Sequence, residues 1–70
     1  MDNEKEVRDA NNMPIGWVRD VGDKLMAFHR LKNYVGYYWK NTDTTYDIQS
    51  RIYCRGDGTV SLIRDADREQ

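Results

Sequence analysis

Residues 34–39, Tyr-Val-Gly-Tyr-Tyr-Trp, hold four of the chain's eight aromatic residues and decide the fold class. Aromatic and β-branched side chains fit the pleated surface of a sheet, so the stretch predicts a β-strand. Successive side chains of a strand point to opposite faces, and here both faces carry aromatic or apolar residues. Either both faces are therefore buried, or one of them binds a partner.

Strict alternation divides this stretch into two faces, which are Tyr34, Gly36 and Tyr38 on one side and Val35, Tyr37 and Trp39 on the other. The second set is bulkier, and we expect it to belong mostly to the core, with Trp39 at the rim. The first set is expected to be open, because Gly36 has no side chain and leaves a shallow notch where another backbone can approach.

Four other stretches predict strands, and they cover residues 15–20, 24–31, 45–54 and 59–64. Residues 45–54 show the clearest alternation of apolar and polar side chains, which is typical of a half-buried antiparallel strand. Residues 24–31 also contain good helix formers, but their shortness favours a strand. A three-residue loop at residues 56–58 predicts a hairpin that pairs Cys54 with Val60, because this register sets apolar residues opposite one another.

The sequence therefore predicts an all-β fold, in which residues 13–64 form one small domain built as a five-stranded antiparallel meander or a small barrel. Seventy residues allow a single domain. After Met1, residues 2–12 contain one sizeable apolar side chain, Val7, and residues 1–12 are predicted to be a flexible segment. Residues 65–70 are predicted to be a short, charged, flexible tail.

Composition argues against several classes of function. Charged residues make up 33% of the chain, but the formal net charge is −1, which is not typical of a nucleic-acid-binding protein. No apolar run approaches the roughly 18 residues of a membrane span, so no membrane partner is predicted. Cys54 is the single cysteine, which excludes an intrachain disulfide and favours a reducing, cytoplasmic location.

Chemically reactive side chains are few. His29 and Cys54 are the only soft metal ligands, and no paired spacing surrounds them, so neither a metal nor another cofactor is predicted. His29 shares a strand face with Leu25, Ala27 and Leu31, which favours a structural histidine over a catalytic base. Because so short a chain leaves little room for a preorganised active site, we predict that the protein is not an enzyme.

The abundance of Tyr and Trp instead predicts a non-catalytic protein-interaction module, because these residues dominate binding hot spots. The expected partner is another protein, with a second copy of the chain as an alternative. A small accessory or inhibitor protein of a virus or mobile element, which acts by binding a host protein, would have this size. The predicted partner-binding residues are Tyr34, Tyr38, Trp39, Arg30, Lys32, Lys40, Arg51 and Tyr53.

The second hypothesis is a small β-barrel that binds single-stranded nucleic acid. Basic residues are interleaved with the aromatic ones, and exposed rings can stack on bases while cations follow the phosphates. Five aspartates lie among these basic residues, however, and favour an ordinary surface of mixed charge. Nucleic acid is therefore the second choice of partner.

Overall fold

Six antiparallel strands lie side by side in the order in which they follow one another along the chain. The computed structural model describes residues 3–68. Its elements are β1 (Asn3–Arg8), β2 (Pro14–Asp20), β3 (Lys24–His29), β4 (Asn33–Trp39), β5 (Thr44–Asp47), β6 (Ile52–Arg55) and the helix α1 (Thr59–Arg68). The predicted antiparallel meander is confirmed, as one open sheet with six strands instead of five. No helix within residues 3–68 is long and apolar enough to cross a membrane.

The first strand, β1, lies in the segment that was predicted to be flexible, where no strand was predicted. Its side chains are exposed except for Val7, which pairs with Gly16 of β2 and belongs to the core. One apolar anchor is enough here because β1 is an edge strand with a single neighbour. Its charged side chains also disfavour pairing with another chain. Residues 1–2 lie outside the described part of the chain.

The predicted long strand over residues 45–54 is instead two strands joined by a tight turn. Asp47 makes the turn, because its Oδ1 accepts the backbone N–H of Gln49 at 2.9 Å and of Arg51 at 3.0 Å. Ser50 adopts a left-handed backbone conformation with φ of 64°. Aspartate favours such turns by bonding to the backbone that follows it.

The predicted fifth strand over residues 59–64 is wrong, because these residues begin the helix α1. The buried positions Thr59, Leu62, Ile63 and Ala66 have the spacing of one helix face. Asp57 Oδ1 accepts the backbone N–H of Thr59 at 3.1 Å and its hydroxyl at 2.7 Å, which satisfies donors at the helix start. The predicted charged tail is therefore also helical as far as Arg68, and residues 69–70 lie outside the described part.

The connection from β6 to α1 replaces the hairpin predicted at residues 56–58. Thr45 fixes this connection: its fully buried hydroxyl donates to the carbonyl of Gly56 at 2.6 Å and accepts the N–H of Gly58 at 2.8 Å. A Cβ atom on Gly58 would lie 2.3 Å from the sulfur of Cys54, so a side chain there would have to displace Cys54.

The helix packs across β2, β3 and β4, on one face of the sheet. The core between them consists of Val7, Ile15, Val18, Ala27, Leu62 and Ile63. Two glycines allow the close approach of the helix. A Cβ atom on Gly16 would lie 2.9 Å from Ile63 Cγ2, and one on Gly36 would lie 2.4 Å from Leu62 Cδ2. The opposite face of the sheet has no helix over it in the described part of the chain.

Three strands contain a β-bulge, in which one residue of a strand is extra to the pairing. The extra residues are Ile15 in β2, Val35 in β4 and Tyr53 in β6. All three lie on the helix side: Ile15 and Val35 pack in or against the core, and the hydroxyl of Tyr53 donates to Asp65 of α1. Each bulge therefore places two consecutive residues on the helix side and interrupts the alternation of the strand.

Candidate functional site

The side of the sheet opposite α1 carries six aromatic rings, and we call this side the open aromatic face. Its rings belong to Trp17, Phe28, Tyr34, Tyr37, Trp39 and Tyr46, and all six are half-buried. The pairing register brings them together, because Trp17 lies opposite Phe28, Phe28 opposite Tyr34, and Tyr37 opposite Tyr46. The face thus extends over four neighbouring strands.

The bulge at Val35 overturns the predicted division of residues 34–39. Tyr34, Tyr37 and Trp39 lie on the open aromatic face, whereas Val35, Gly36 and Tyr38 lie on the helix side. Gly36 is buried below Leu62 and leaves no notch for a partner. Tyr38 pairs with Leu25 and Thr45, which also belong to the helix side, and its hydroxyl donates to Asp43. The prediction that Tyr37 belongs to the core is therefore wrong, and Trp39, which was expected at the rim, lies on the open aromatic face.

The rings pack against one another in an ordered way. Trp17 and Phe28 are stacked with their centroids 5.4 Å apart and their planes at 11°, and Tyr37 and Tyr46 are stacked at 5.2 Å and 22°. Tyr34 is tilted by 54° against Phe28 at 5.8 Å. Each stacked ring therefore has a neighbouring, nearly parallel ring within the usual distance of aromatic pairs. Such pairs also stabilise the arrangement by about 0.5–1.5 kcal/mol each.

Two cations lie over these rings. The Arg19 guanidinium is 5.2 Å from the centroid of Phe28, and its Nη2 also contacts Glu4 Oε2 at 2.6 Å. The Lys24 amine is 5.3 Å from the centroid of Tyr37 and 6.0 Å from that of Trp39. Cation–π contacts hold both side chains against the face. Arg19 in particular divides its charge between a ring and a carboxylate.

Two shallow depressions lie at the ends of the open aromatic face. One, of about 480 Å³, is lined by Glu4, Glu6, Pro14, Gly16, Trp17 and Arg30. The other, of about 400 Å³, is lined by Lys24, Tyr37, Trp39, Thr42 and Tyr46. Met26 lies between them, because it pairs with Arg19 on one side and Tyr37 on the other. Methionine adapts its shape to a partner, so this centre is a suitable contact point.

Three of the eight predicted partner-binding residues lie at this face. Tyr34 and Trp39 are two of its rings, and Arg30 lines the first depression. Whether these residues bind a partner remains a prediction.

The other five predicted residues lie elsewhere. Tyr38 and Tyr53 lie on the helix side, and Lys32 lines a depression there together with Tyr53. Lys40 is in an ion pair with Asp20 at 3.0 Å, and Arg51 is in one with Asp47 at 3.3 Å. Lys32 and Tyr53 share that depression with Tyr34, which is also a ring of the open aromatic face.

Seven residues of the face were not among the predicted binding residues, and they are Trp17, Arg19, Lys24, Met26, Phe28, Tyr37 and Tyr46. The alternation of residues 24–31 already separates Met26 and Phe28 from Leu25 and Ala27. If the two faces of each strand are assigned in this way and then aligned with those of the neighbouring strands, the rings fall on one side, because residues opposite one another in a sheet share a face. The bulge at Val35 defeats such matching for β4.

His29 lies away from this face and links β3 to α1. It is fully buried, its Nε2 is 3.0 Å from Asp67 Oδ1, and its Nδ1 accepts the backbone N–H of Leu31 at 3.1 Å and of Lys32 at 3.3 Å. The expected structural role of His29 agrees with this position. Within residues 3–68, no group of three or more His, Cys, Asp or Glu side chains is placed to hold a metal ion.

Comparison of the chain with protein-family models, with curated proteins and with solved structures gives no match. The functional argument therefore rests on the geometry of the open aromatic face.

Proposed function

We propose that the protein is a non-catalytic protein-interaction module and that its contact surface is the open aromatic face. The observation that carries this proposal is the position of six half-buried rings on the side of the sheet that α1 leaves uncovered. Tyr, Trp, Phe and Met are enriched in the centres of protein interfaces, and this face has all four.

The rings are not needed to build the core. The helix side has its own core, in which Ile15, Ala27 and Ile63 are at most 2% exposed. A sheet that is covered on one side usually carries polar residues on its solvated side. Here that side is aromatic over β2 to β5. Such a surface is favourable mainly when a partner covers it.

A protein fits this face better than single-stranded nucleic acid does. Bases stack on free π faces, but Phe28 and Tyr37 each have a stacked neighbour and a cation over the ring. Arg19 is also paired with Glu4, so its charge is partly compensated before a phosphate arrives. Nucleic acid remains the alternative, with a test of its own in the Discussion.

A matched set of variants tests the proposal. Tyr37→Ala with Trp39→Ala removes two rings from the face, whereas Tyr38→Ala removes a ring between them that points to the helix side. We expect the double variant to lose partner binding by at least about tenfold, since buried aromatic residues are typical hot spots. Tyr38→Ala should keep the binding.

The measurement is affinity capture with the tagged chain, quantified by mass spectrometry, with circular dichroism to show that each variant is folded. If the folded double variant captures the same proteins in the same amounts as the wild type, the open aromatic face is not the contact surface. If the double variant unfolds, Tyr37 and Trp39 are part of the stabilising core, and the assignment of this face as a free surface is wrong.

A further inference from the structure

The charges of the open aromatic face are compatible with a second copy of the same face. Glu4 is paired with Arg19, and Glu6 is paired with Arg8 at 2.6 Å, so the acidic side chains of β1 are already partly neutralised. Lys24 is the first residue of β3, and its amine lies over the rings of Tyr37 and Trp39, whose π faces partly compensate its charge. Two such faces can therefore approach without burying a concentration of like charge.

The edges of the sheet are complementary in charge. The β1 edge of the face carries Glu4 and Glu6, while Arg55 at the β6 edge is exposed and pairs with Thr44, which shares its face with Trp39. A two-fold axis parallel to the strands, placed over the boundary of β3 and β4, lays β1 of one copy over β6 of the other. Glu4 of one copy then lies over Ile52 of the other, two residues along the strand from the level of Arg55, so its carboxylate comes within reach of Arg55 at both edges. The same arrangement sets Phe28 over Tyr34 of the second copy.

The size of the face is adequate for a weak dimer. Six strands about 4.8 Å apart and about five residues long, at about 3.3 Å per residue, present roughly 500 Å² in projection. The accessible surface is larger than this projection because the side chains protrude from it. It therefore approaches the roughly 600 Å² per partner that specific interfaces bury at their lower limit. Two sheets packed face to face at about 10 Å would cover all six rings.

We infer that a second copy of the chain occupies the open aromatic face, in a symmetric face-to-face dimer that dissociates in the micromolar range. This inference rests on the proposed function, because it names the partner of the same face. Isologous two-fold dimers are the commonest closed assembly.

The first test uses the wild-type chain alone. Sedimentation at concentrations from about 1 μM to 1 mM should show the mass rise from that of one chain to that of two. Both tryptophans of the chain, Trp17 and Trp39, lie on the open aromatic face, so their emission should shift to shorter wavelength over the same range. A chain that stays monomeric at 1 mM overturns the inference.

Two pairs of variants test the position and the orientation of the dimer. Met26→Glu puts a charge in the centre of the face and should raise the dissociation constant at least tenfold, whereas Val60→Glu on the exposed side of α1 should not change it. Arg55→Glu should weaken the dimer severalfold, whereas Arg68→Glu, a charge reversal on α1, should not. A folded Met26→Glu variant that dimerises like the wild type places the interface elsewhere, and an unaffected Arg55→Glu variant overturns the proposed orientation.

The two proposals fail in different ways. If the chain is monomeric but the Tyr37→Ala, Trp39→Ala variant loses capture of another protein, the dimer is wrong and the interaction module stands. If the chain is monomeric and capture is also unchanged, both proposals are wrong.

Discussion

His29 joins the sheet to the helix through both nitrogens of its ring. Because Nδ1 accepts two backbone N–H groups, the proton on Nε2 is donated to Asp67 of α1. The His29 ring has no exposed surface, whereas the side chain of Asp67 is 30% exposed. His29 therefore closes the β3–β4 hairpin and anchors the end of the helix at the same time.

Replacing His29 by Ala should lower the free energy of unfolding by about 2–4 kcal/mol, because the change leaves a cavity and unpaired backbone N–H groups. Arg30→Ala, at the next position but exposed, is the control and should cost less than about 0.5 kcal/mol. Urea denaturation followed by circular dichroism measures both. Equal losses in the two variants would contradict the anchoring role of His29.

The fold raises the pKa of Tyr53 well above that of a free tyrosine. Burial, and then the hydrogen bond to Asp65, raise the pKa of Tyr53 to about 12. A tyrosine of the unfolded chain has a pKa of about 10. The folded chain therefore holds this proton more tightly, and the resulting stabilisation is complete below about pH 10 and is lost as the pH rises through about 12.

We expect Tyr53→Phe to remove the latest phase of tyrosine ionisation, as followed by absorbance at alkaline pH. Stability should also fall less steeply between about pH 10 and 12 in this variant than in the wild type, because Phe has no proton to lose. An unchanged late phase in Tyr53→Phe would show that another tyrosine is responsible for it.

At the scale of elements, the β-bulges decide which residues face the helix. Two of them place a large side chain next to a glycine, as Ile15-Gly16 and Val35-Gly36. The large residue fills the core, and the glycine lets the helix or the neighbouring strand come close. A Cβ atom on Gly16 would lie 2.1 Å from the carbonyl oxygen of Phe28, in the backbone of β3.

Gly16→Ala should therefore lower the free energy of unfolding by about 3 kcal/mol, which is at the upper end of the usual range for overpacking. The reason is that the carbonyl oxygen of Phe28 belongs to the backbone and cannot rotate away from the new Cβ atom. Gly22→Ala is the control: its Cβ atom would meet nothing within 4 Å, and only its φ of 104° is unfavourable, at about 1 kcal/mol. Thermal or urea unfolding of the two variants provides the comparison. A loss for Gly16→Ala no greater than that for Gly22→Ala would contradict the close approach of β2 and β3.

Most of the sheet could be predicted from the sequence, because β2, β3 and β4 each combine strand-forming residues with turn residues at their ends. The helix could not be predicted from alternation, since Val60 and Leu62 also fit a strand, and the helical spacing of Leu62, Ile63 and Ala66 competes with it. The aromatic character of the candidate site could be predicted from the sequence, but the set of residues that form it could not. Its aromatic content is visible in the sequence, whereas the bulge at Val35 depends on the pairing of β3 with β4.

For the molecule as a whole, the two sides of the sheet have different roles. One side is closed by α1, and the other presents rings that have neighbouring rings and cations close to them. The formal net charge of the chain is −1, which gives no long-range attraction for a polyanion. These features support the proposed contact with a surface of similar character rather than with a charged strand.

Single-stranded oligonucleotides should accordingly fail to bind at low salt, where phosphate contacts are strongest. The measurement is titration of the tryptophan fluorescence with DNA and RNA oligonucleotides, because a base stacked on the open aromatic face would quench Trp17 or Trp39. Salt-dependent quenching with a dissociation constant in the micromolar range would favour the nucleic-acid hypothesis over the protein-interaction module.

The position of α1 after all six strands has a consequence for biosynthesis. Leu62 and Ile63 complete the core, yet the ribosome adds them only after every strand has been made. Until then the apolar side of the nascent sheet has nothing to pack against, and its other side is aromatic. The growing chain therefore has a sheet with both sides uncovered, and the helix covers one of them when it emerges from the exit tunnel. A chaperone that holds the nascent chain would have its greatest effect in this interval.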